Sequence, residues 1–222
     1  MKKVLLIPAF LFALALMMVS FGDTSYAAAK EGSFKTKILD IQVEIPYEKS
    51  SVNLERESTS DSETIKVYDK ETGKLLKEST VEKANKKAMS LQGDVTTQGT
   101  SLYTVSESRV DNGLTSTLNA VLELYDSGSF RQINAVDNMY WTTSSGNHDL
   151  VNKQASDVAT DGSYPTTEVQ ISGAATIEVE IDQGASAGFE AAGFSVSAST
   201  STTYTARKNI EEGFTYSTYN RD

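Results

Sequence analysis

The residues best able to do chemistry are few and scattered. The chain holds one histidine, His148, in the segment SSGNHDLV, with Asp149 beside it and serines on its N-terminal side. A Ser-His-Asp site needs that imidazole held between a hydroxyl nucleophile and an orienting carboxylate. An aspartate adjacent in sequence does not by itself meet the same ring. The expectation is a turn-exposed histidine. Zinc asks for three or four ligands, and one histidine with no cysteine makes a poor supply. Glu178 and Glu180 share one face of an alternating segment and could in principle form the carboxylate pair of a glycoside hydrolase. On the polar side of an amphipathic strand, such residues are ordinarily solvated. Asp157 and Asp161-Gly162, in DVATDGS, offer oxygen ligands of the kind calcium takes, but their spacing differs from an EF-hand loop. A bare acidic turn is the expectation there. Neither catalysis, nor a cofactor, nor a metal is therefore expected.

Tyr140 and Trp141, in NMYWTT, include the chain's only tryptophan. They are candidates for aromatic contact with a partner, although large aromatics more often fill a core.

The elements that would position these residues begin after a segment that reads as an export signal. Lys2 and Lys3 precede an apolar run over 4–19, and small residues follow at Ser25, Ala27, Ala28 and Ala29. That is the pattern of a secretory signal peptide. The run is shorter than the roughly 20 residues a spanning helix needs, and Pro8 interrupts it. Cleavage after Ala27 or Ala29 fits, with Ala29 preferred. Export without cysteine leaves no disulfide to staple the fold, so the core alone must hold it.

Charge is distributed unevenly. Residues 30–94 carry twelve Lys or Arg against thirteen Asp or Glu, and residues 95–222 carry six against sixteen. The acidic half repels phosphate, so nucleic acid is not an expected partner. The same break coincides with a change from Lys/Glu-rich to Ser/Thr-rich texture. The expected organisation is a signal over 1–29, a small charged α+β segment or pro-region over 30–94, and an all-β domain over 95–222. Residues 93–99, GDVTTQG, would link the last two.

Periodicity gives the elements. Leu39, Ile41, Val43, Ile45 and Tyr47 alternate with polar residues and predict a half-buried strand. Residues 50–63 are polar and read as loose. IKVYDKETGKLLKE predicts a hairpin around Gly73. Residues 79–93 predict one short helix, with Ser79 as N-cap, Glu82 three residues later, an apolar face of Val81, Ala84, Ala88 and Leu91, and Gly93 beyond the end. Leu118, Ala120, Leu122 and Leu124 predict a strand stopped by Asp126-Ser127-Gly128. Residues 130–141 and 150–158 are weaker strand candidates, and 214–219 reads as a last edge strand.

The clearest pattern comes late. Val169, Ile171, Gly173, Ala175, Ile177, Val179 and Ile181 face one way. Phe194, Val196, Ala198, Thr200, Thr202, Tyr204 and Ala206 repeat the alternation against serines and threonines. The simplest arrangement is one long C-terminal antiparallel hairpin, with Gly173 as a candidate bend. In AGFEAAGF the two Ala-Gly-Phe triplets stand five residues apart, which in an extended chain would send the phenylalanines to opposite faces. A turn between them is expected. The fold class is therefore mainly β, an antiparallel sheet or sandwich with a long C-terminal hairpin, plus one short helix in the N-terminal part.

Two functions fit. The first is a secreted, non-enzymatic β-sheet protein that binds an extracellular protein or surface polymer, with self-association through open sheet edges as a further possibility. The second is membrane activity, as in a pore-forming toxin or bacteriocin that inserts residues 167–207. The Ser/Thr face, the Gly/Ala-rich tip and the flanking Phe194 and Tyr204 make that segment similar in pattern to the insertion hairpin of aerolysin-type toxins. The resemblance implies that Gly188, Phe189, Gly193, Phe194 and Tyr204 contact membrane or partner.

Overall fold

The structure is a computed structural model and describes residues 32–84, 99–128, 130–200 and 202–218. The signal segment 1–29 therefore lies outside the described residues.

Among the described residues, twelve strands build two antiparallel sheets. The second sheet in space is a meander in chain order: β3 (Val52–Ser58), β4 (Ser62–Asp69), β5 (Leu75–Lys83), β6 (Thr100–Asp111), β7 (Leu114–Ser127) and β8 (Phe130–Ser145). The first sheet collects the two ends of the chain. Its order is β1 (Phe34–Ile38), β2 (Ile41–Ile45), β12 (Thr203–Ser217), β10 (Glu168–Asp182) and β9 (Asp149–Ala159), with β11 (Ser195–Ala198) also paired to β12. Each strand presents alternate residues to the interior. One hydrophobic cluster draws from both sheets, among them Ile41 and Val43 of β2, Val81 of β5, Leu118 and Leu122 of β7, Ile171 and Ile177 of β10, and Phe214 of β12. Strands on either side of the charge change near Asp94 thus share both sheets and one core.

The long alternating runs behave as their period dictates. Leu118, Ala120 and Leu122 are wholly buried in β7, and Val169, Ile171 and Ile177 in β10. The hairpin around Gly73 forms as β4 and β5, and the turn glycine has φ +68°.

The helix is a correction. Ser79 to Lys83 belong to β5, while 85–98 lie outside the described residues. Two ladders, to β4 and to β6, override the capping signal of Ser79 and Glu82. Ser79 turns inward and donates its hydroxyl to Glu107 Oε1 at 2.7 Å instead of capping a helix. The short helix of the described chain is α1 (Ser186–Ala191), which follows a single 3-10 turn over Gln183–Ala185 near the C-terminal hairpin.

Three further expectations change. Residues 52–58 form edge strand β3, because Leu54 and Val52 find partners on β4 despite the charged residues between them. Leu39 leaves the alternating run at φ +49°, so the chain turns there and pairs β1 with β2. Of the segment 214–219, residues 214–217 are the end of a fifteen-residue strand and not a separate edge, since Tyr216 pairs with Val169 on one side and Val43 on the other, and 219 lies outside the described residues.

The late hairpin is real, but its second arm lies further along the chain. β10 pairs with β12 from Glu168↔Ser217 to Asp182↔Thr203. The alternating run 194–206 instead turns back after β11, which pairs antiparallel with the start of β12. Thr200 accepts hydrogen bonds on its hydroxyl from the backbone N–H groups of Thr202 and Thr203, at 3.3 and 3.0 Å, and these hold the bend.

Between the two phenylalanines of AGFEAAGF the chain does turn, by closing a helix. Gly193 stands at φ +83°, its N–H reaches Glu190 O at 2.9 Å, and the Phe194 N–H reaches Phe189 O at 3.0 Å. These are the paired bonds of a Schellman motif with glycine at the left-handed position. The Phe189 and Phe194 rings meet edge to face at 5.0 Å and supply its hydrophobic contact.

Candidate functional site

Each end and the middle of the interior hold charged side chains, and the register explains why. On β12 the inward positions are Tyr204, Ala206, Lys208, Ile210, Glu212, Phe214 and Tyr216, an apolar series interrupted by two charges. On β5 and β6 the corresponding positions include Lys77 and Ser79, then Tyr103, Glu107 and Asp111.

At one end, a cleft of about 90 Å³ opens between the sheets. Asp40, Lys83, Ser101, Tyr103, Leu124, Tyr125, Asp126 and Arg131 line it. Asp40 comes from the β1–β2 turn of one sheet, and Arg131 and Asp126 from paired positions on β8 and β7 of the other. Arg131 is 3% exposed and gathers the site. Its Nη1 donates to Asp40 O at 2.7 Å, its Nη2 to Asp40 Oδ1 at 3.2 Å, and its Nε to Asp126 Oδ2 at 2.9 Å. Tyr103 donates its hydroxyl to Asp40 Oδ2 at 2.8 Å. Burial alone would raise the Asp40 carboxyl, but the Tyr103 hydroxyl and the Arg131 guanidinium outweigh it and hold Asp40 below the usual carboxylate value. Burial and the Asp40 carboxylate in turn push the Tyr103 phenol up. The Lys83 ammonium stands over the Tyr103 ring at 5.6 Å. Two carboxylates thus balance two cations at a polar opening, a composition suited to an uncharged polar ligand.

In the middle, Lys77 and Glu107 are both buried between the sheets, and their ammonium and Oε2 lie 3.3 Å apart. Lys77 Nζ also reaches Glu212 Oε1 at 3.4 Å and Gly213 O at 3.3 Å, across the sheet interface. Glu107 Oε1 accepts from Ser79 at 2.7 Å and from the Tyr216 hydroxyl at 3.4 Å. Burial raises the Glu107 carboxyl to about 7, the Lys77 charge opposing that rise.

Beyond it, Lys208 ties down the connection between β10 and β12. Its Nζ reaches Asp111 Oδ1 at 2.8 Å, donates to Ala192 O at 2.9 Å, and lies 5.4 Å from the Phe194 ring centre. Arg109 completes the group through Asp111 Oδ2 at 2.7 Å and Glu211 O at 2.7 Å.

No protein-family model, curated protein or solved structure matches this chain.

The residues singled out in the sequence fall in several places. His148 is buried, not turn-exposed: Nε2 stands 3.2 Å from Ser116 Oγ and Nδ1 3.3 Å from Gly146 O. That pairing contains a hydroxyl and an imidazole, but Ser116 is wholly buried, so no substrate carbonyl can approach it. Trp141 is a core residue at 6% exposure, and its indole N–H donates to Gln154 O at 3.0 Å, joining the two sheets. Gly173 makes room for it, since a Cβ there would stand 3.0 Å from the indole nitrogen and 2.9 Å from Gln154 O. Its neighbour Tyr140 points outward at 39% exposure. Phe194 is buried, Phe189 and Tyr204 are half-buried, and Gly188 and Gly193 are exposed at the helix. Glu178 pairs with Arg207 across the β10–β12 ladder at 2.6 Å. Asp157 accepts from the Tyr164 hydroxyl at 2.5 Å and Asp161 from Thr166 at 2.9 Å. Among the described residues, no group of three or more histidines or carboxylates is placed to hold a metal.

Sequence reasoning missed Lys77, Glu107, Lys208 and Glu212. The available signal was a charge standing in the apolar phase of an alternating run, as at Lys208 and Glu212 between Ala206, Ile210 and Phe214.

Proposed function

We propose that this chain is an exported β-sandwich protein that acts outside the cell by binding, without catalysis, and that it takes a polar, uncharged portion of a surface polymer into the cleft between its sheets. The observation that carries the reading is the built character of that cleft. Arg131, buried and shared by Asp40 and Asp126, fixes the carboxylates of both sheets at one opening. Fixed acceptors and donors of balanced charge suit the hydroxyl groups of a saccharide better than a phosphate or a strongly cationic ligand.

The membrane reading fits less well. Inserting β10 and β12 as a spanning hairpin would place the interior face toward lipid, and with it Lys208 and Glu212. A charge on the lipid face costs up to about 2–4 kcal/mol for Lys, with less for Glu. In the sandwich those two residues have partners in Asp111 and Lys77.

The test is titration of the purified mature protein with cell-wall polysaccharide fractions, followed by calorimetry. Asp126→Asn keeps the shape of the side chain and removes its charge, and its side chain is 38% exposed, so the fold should survive. At least a tenfold loss of affinity is expected. Equal binding by both proteins would remove the cleft from the account.

A further inference from the structure

The group in the middle of the interior contains the parts of a condensation reaction. Lys77 projects from β5, Glu107 from the neighbouring strand β6, and Glu212 from β12 of the facing sheet. Ser79 and Tyr216 complete it, and Tyr47 is a further titratable group that feels the charges of Lys77, Glu212 and Glu107. The two oxygens of Glu107 are not equivalent. Oε1 is held by two hydroxyl donors, at 2.7 and 3.4 Å. Oε2 meets no hydroxyl or backbone donor and lies 3.3 Å from the Lys77 nitrogen.

We infer that Lys77 and Glu107 form an intramolecular amide cross-link, with Glu212 as the proton carrier. The nitrogen is held 3.3 Å from Oε2 of the carboxyl it would attack, and such proximity replaces the entropy of a bimolecular encounter. The reacting state has a protonated Glu107, an ionised Glu212 and the Lys77 ammonium. Glu212 takes a proton from the ammonium, and all three groups are then neutral, as a buried site favours. The Nζ lone pair attacks Cδ of Glu107 and a C–N bond forms. Negative charge gathers on Oε1, where the Ser79 and Tyr216 hydroxyls donate to it. The C–Oε2 bond then breaks, and that oxygen leaves with two protons as water. The product is a secondary amide, one water and a protonated Glu212, so atoms and charge balance without an oxidant or activating group. Oε2 is the oxygen that departs without breaking a hydrogen bond, and the carbonyl that remains keeps both of its donors.

Burial supports the acid form of Glu107, whose value of about 7 leaves a large share protonated near neutrality. The Lys77 ammonium is raised: burial works against it, but Glu107 and Glu212 outweigh burial. Transfer of that proton to Glu212 is therefore the slow prelude, and the cross-link should form over time after folding, not at once.

Intact-mass measurement on the folded, aged protein tests this, with the N-terminus determined independently. The expected mass lies below the sequence mass by about 18 Da, one water. Proteolysis should release a branched peptide joining Lys77 to Glu107. Lys77→Arg should show the full sequence mass, and Glu212→Gln should retain the water or lose it far more slowly. Glu107→Gln keeps the acyl carbon but changes the leaving group, so any loss should become about 17 Da, one ammonia. A folded wild-type protein at full sequence mass would overturn the inference. So would a water loss that maps to other residues, including a Lys77–Glu212 branch.

Discussion

At the scale of single residues, the interior charges decide how the protein answers to pH. Glu107 is raised from 4.5 to about 7, by burial first and by Glu212 further, against the pull of Lys77. A carboxyl raised on folding contributes stability that is complete below its unfolded value and is lost as pH rises through its folded value. Asp40 and Asp111 run the other way, because their cation and hydroxyl partners outweigh burial and lower them from 3.8. Their contribution is present above that value and is lost as pH falls below it. In Lys77→Arg, where no amide can form and Glu107 stays a free acid, the denaturation midpoint should fall between pH 5 and pH 8. Adding Glu107→Gln should flatten that fall. Urea titrations across the range check both. An unchanged slope in the double variant would mean that Glu107 is not the group responsible. These residues were hard to read in the sequence because a charge in an apolar phase is visible, while the strand that supplies its partner is not. Lys77 and Glu212 are 135 positions apart.

At the scale of elements, alternation carried far. Leu118 to Leu124 and Val169 to Ile181 bury the faces their period indicates, because a strand with one wet side admits no other register. Where a local signal competed with the ladder, the ladder won. Ser79 and Glu82 stand at the spacing of a capping box, yet their backbones pair with β4 and β6. The run 194–206 was misleading for a related reason: the sequence alternation continues past the end of β11, whose exposed serines are followed by the half-buried Thr203 and Thr205 of β12. The AGFEAAGF repeat is readable afterwards as a helix end, with the second glycine as the left-handed residue and the two phenylalanines as its contact. Gly193→Ala forces a Cβ into that conformation and should cost about 1–2 kcal/mol. Lys208→Met should release the same connection from Ala192 and Asp111. Amide exchange across 186–198 should accelerate at least tenfold in both variants while that of β7 is unchanged. Exchange that rises uniformly would show a global effect and no latch.

At the scale of the whole molecule, the chain begins and ends its described course in one sheet and builds the other as a meander between them. The mainly-β, antiparallel class was legible from period alone, but the partition into two sheets was not. It rests on contacts such as Trp141 to Gln154 and Arg131 to Asp40, which join residues from different strands of opposite sheets. The central claim is that β10 and β12 stay locked in the sandwich while the protein works. Dye-loaded liposomes and whole cells, treated with mature protein and followed by hydrogen exchange in the same samples, test it directly. The account predicts no leakage, with amide protection retained at Ile171, Ile177, Ile210 and Phe214. Leakage accompanied by loss of protection at those four residues would contradict it.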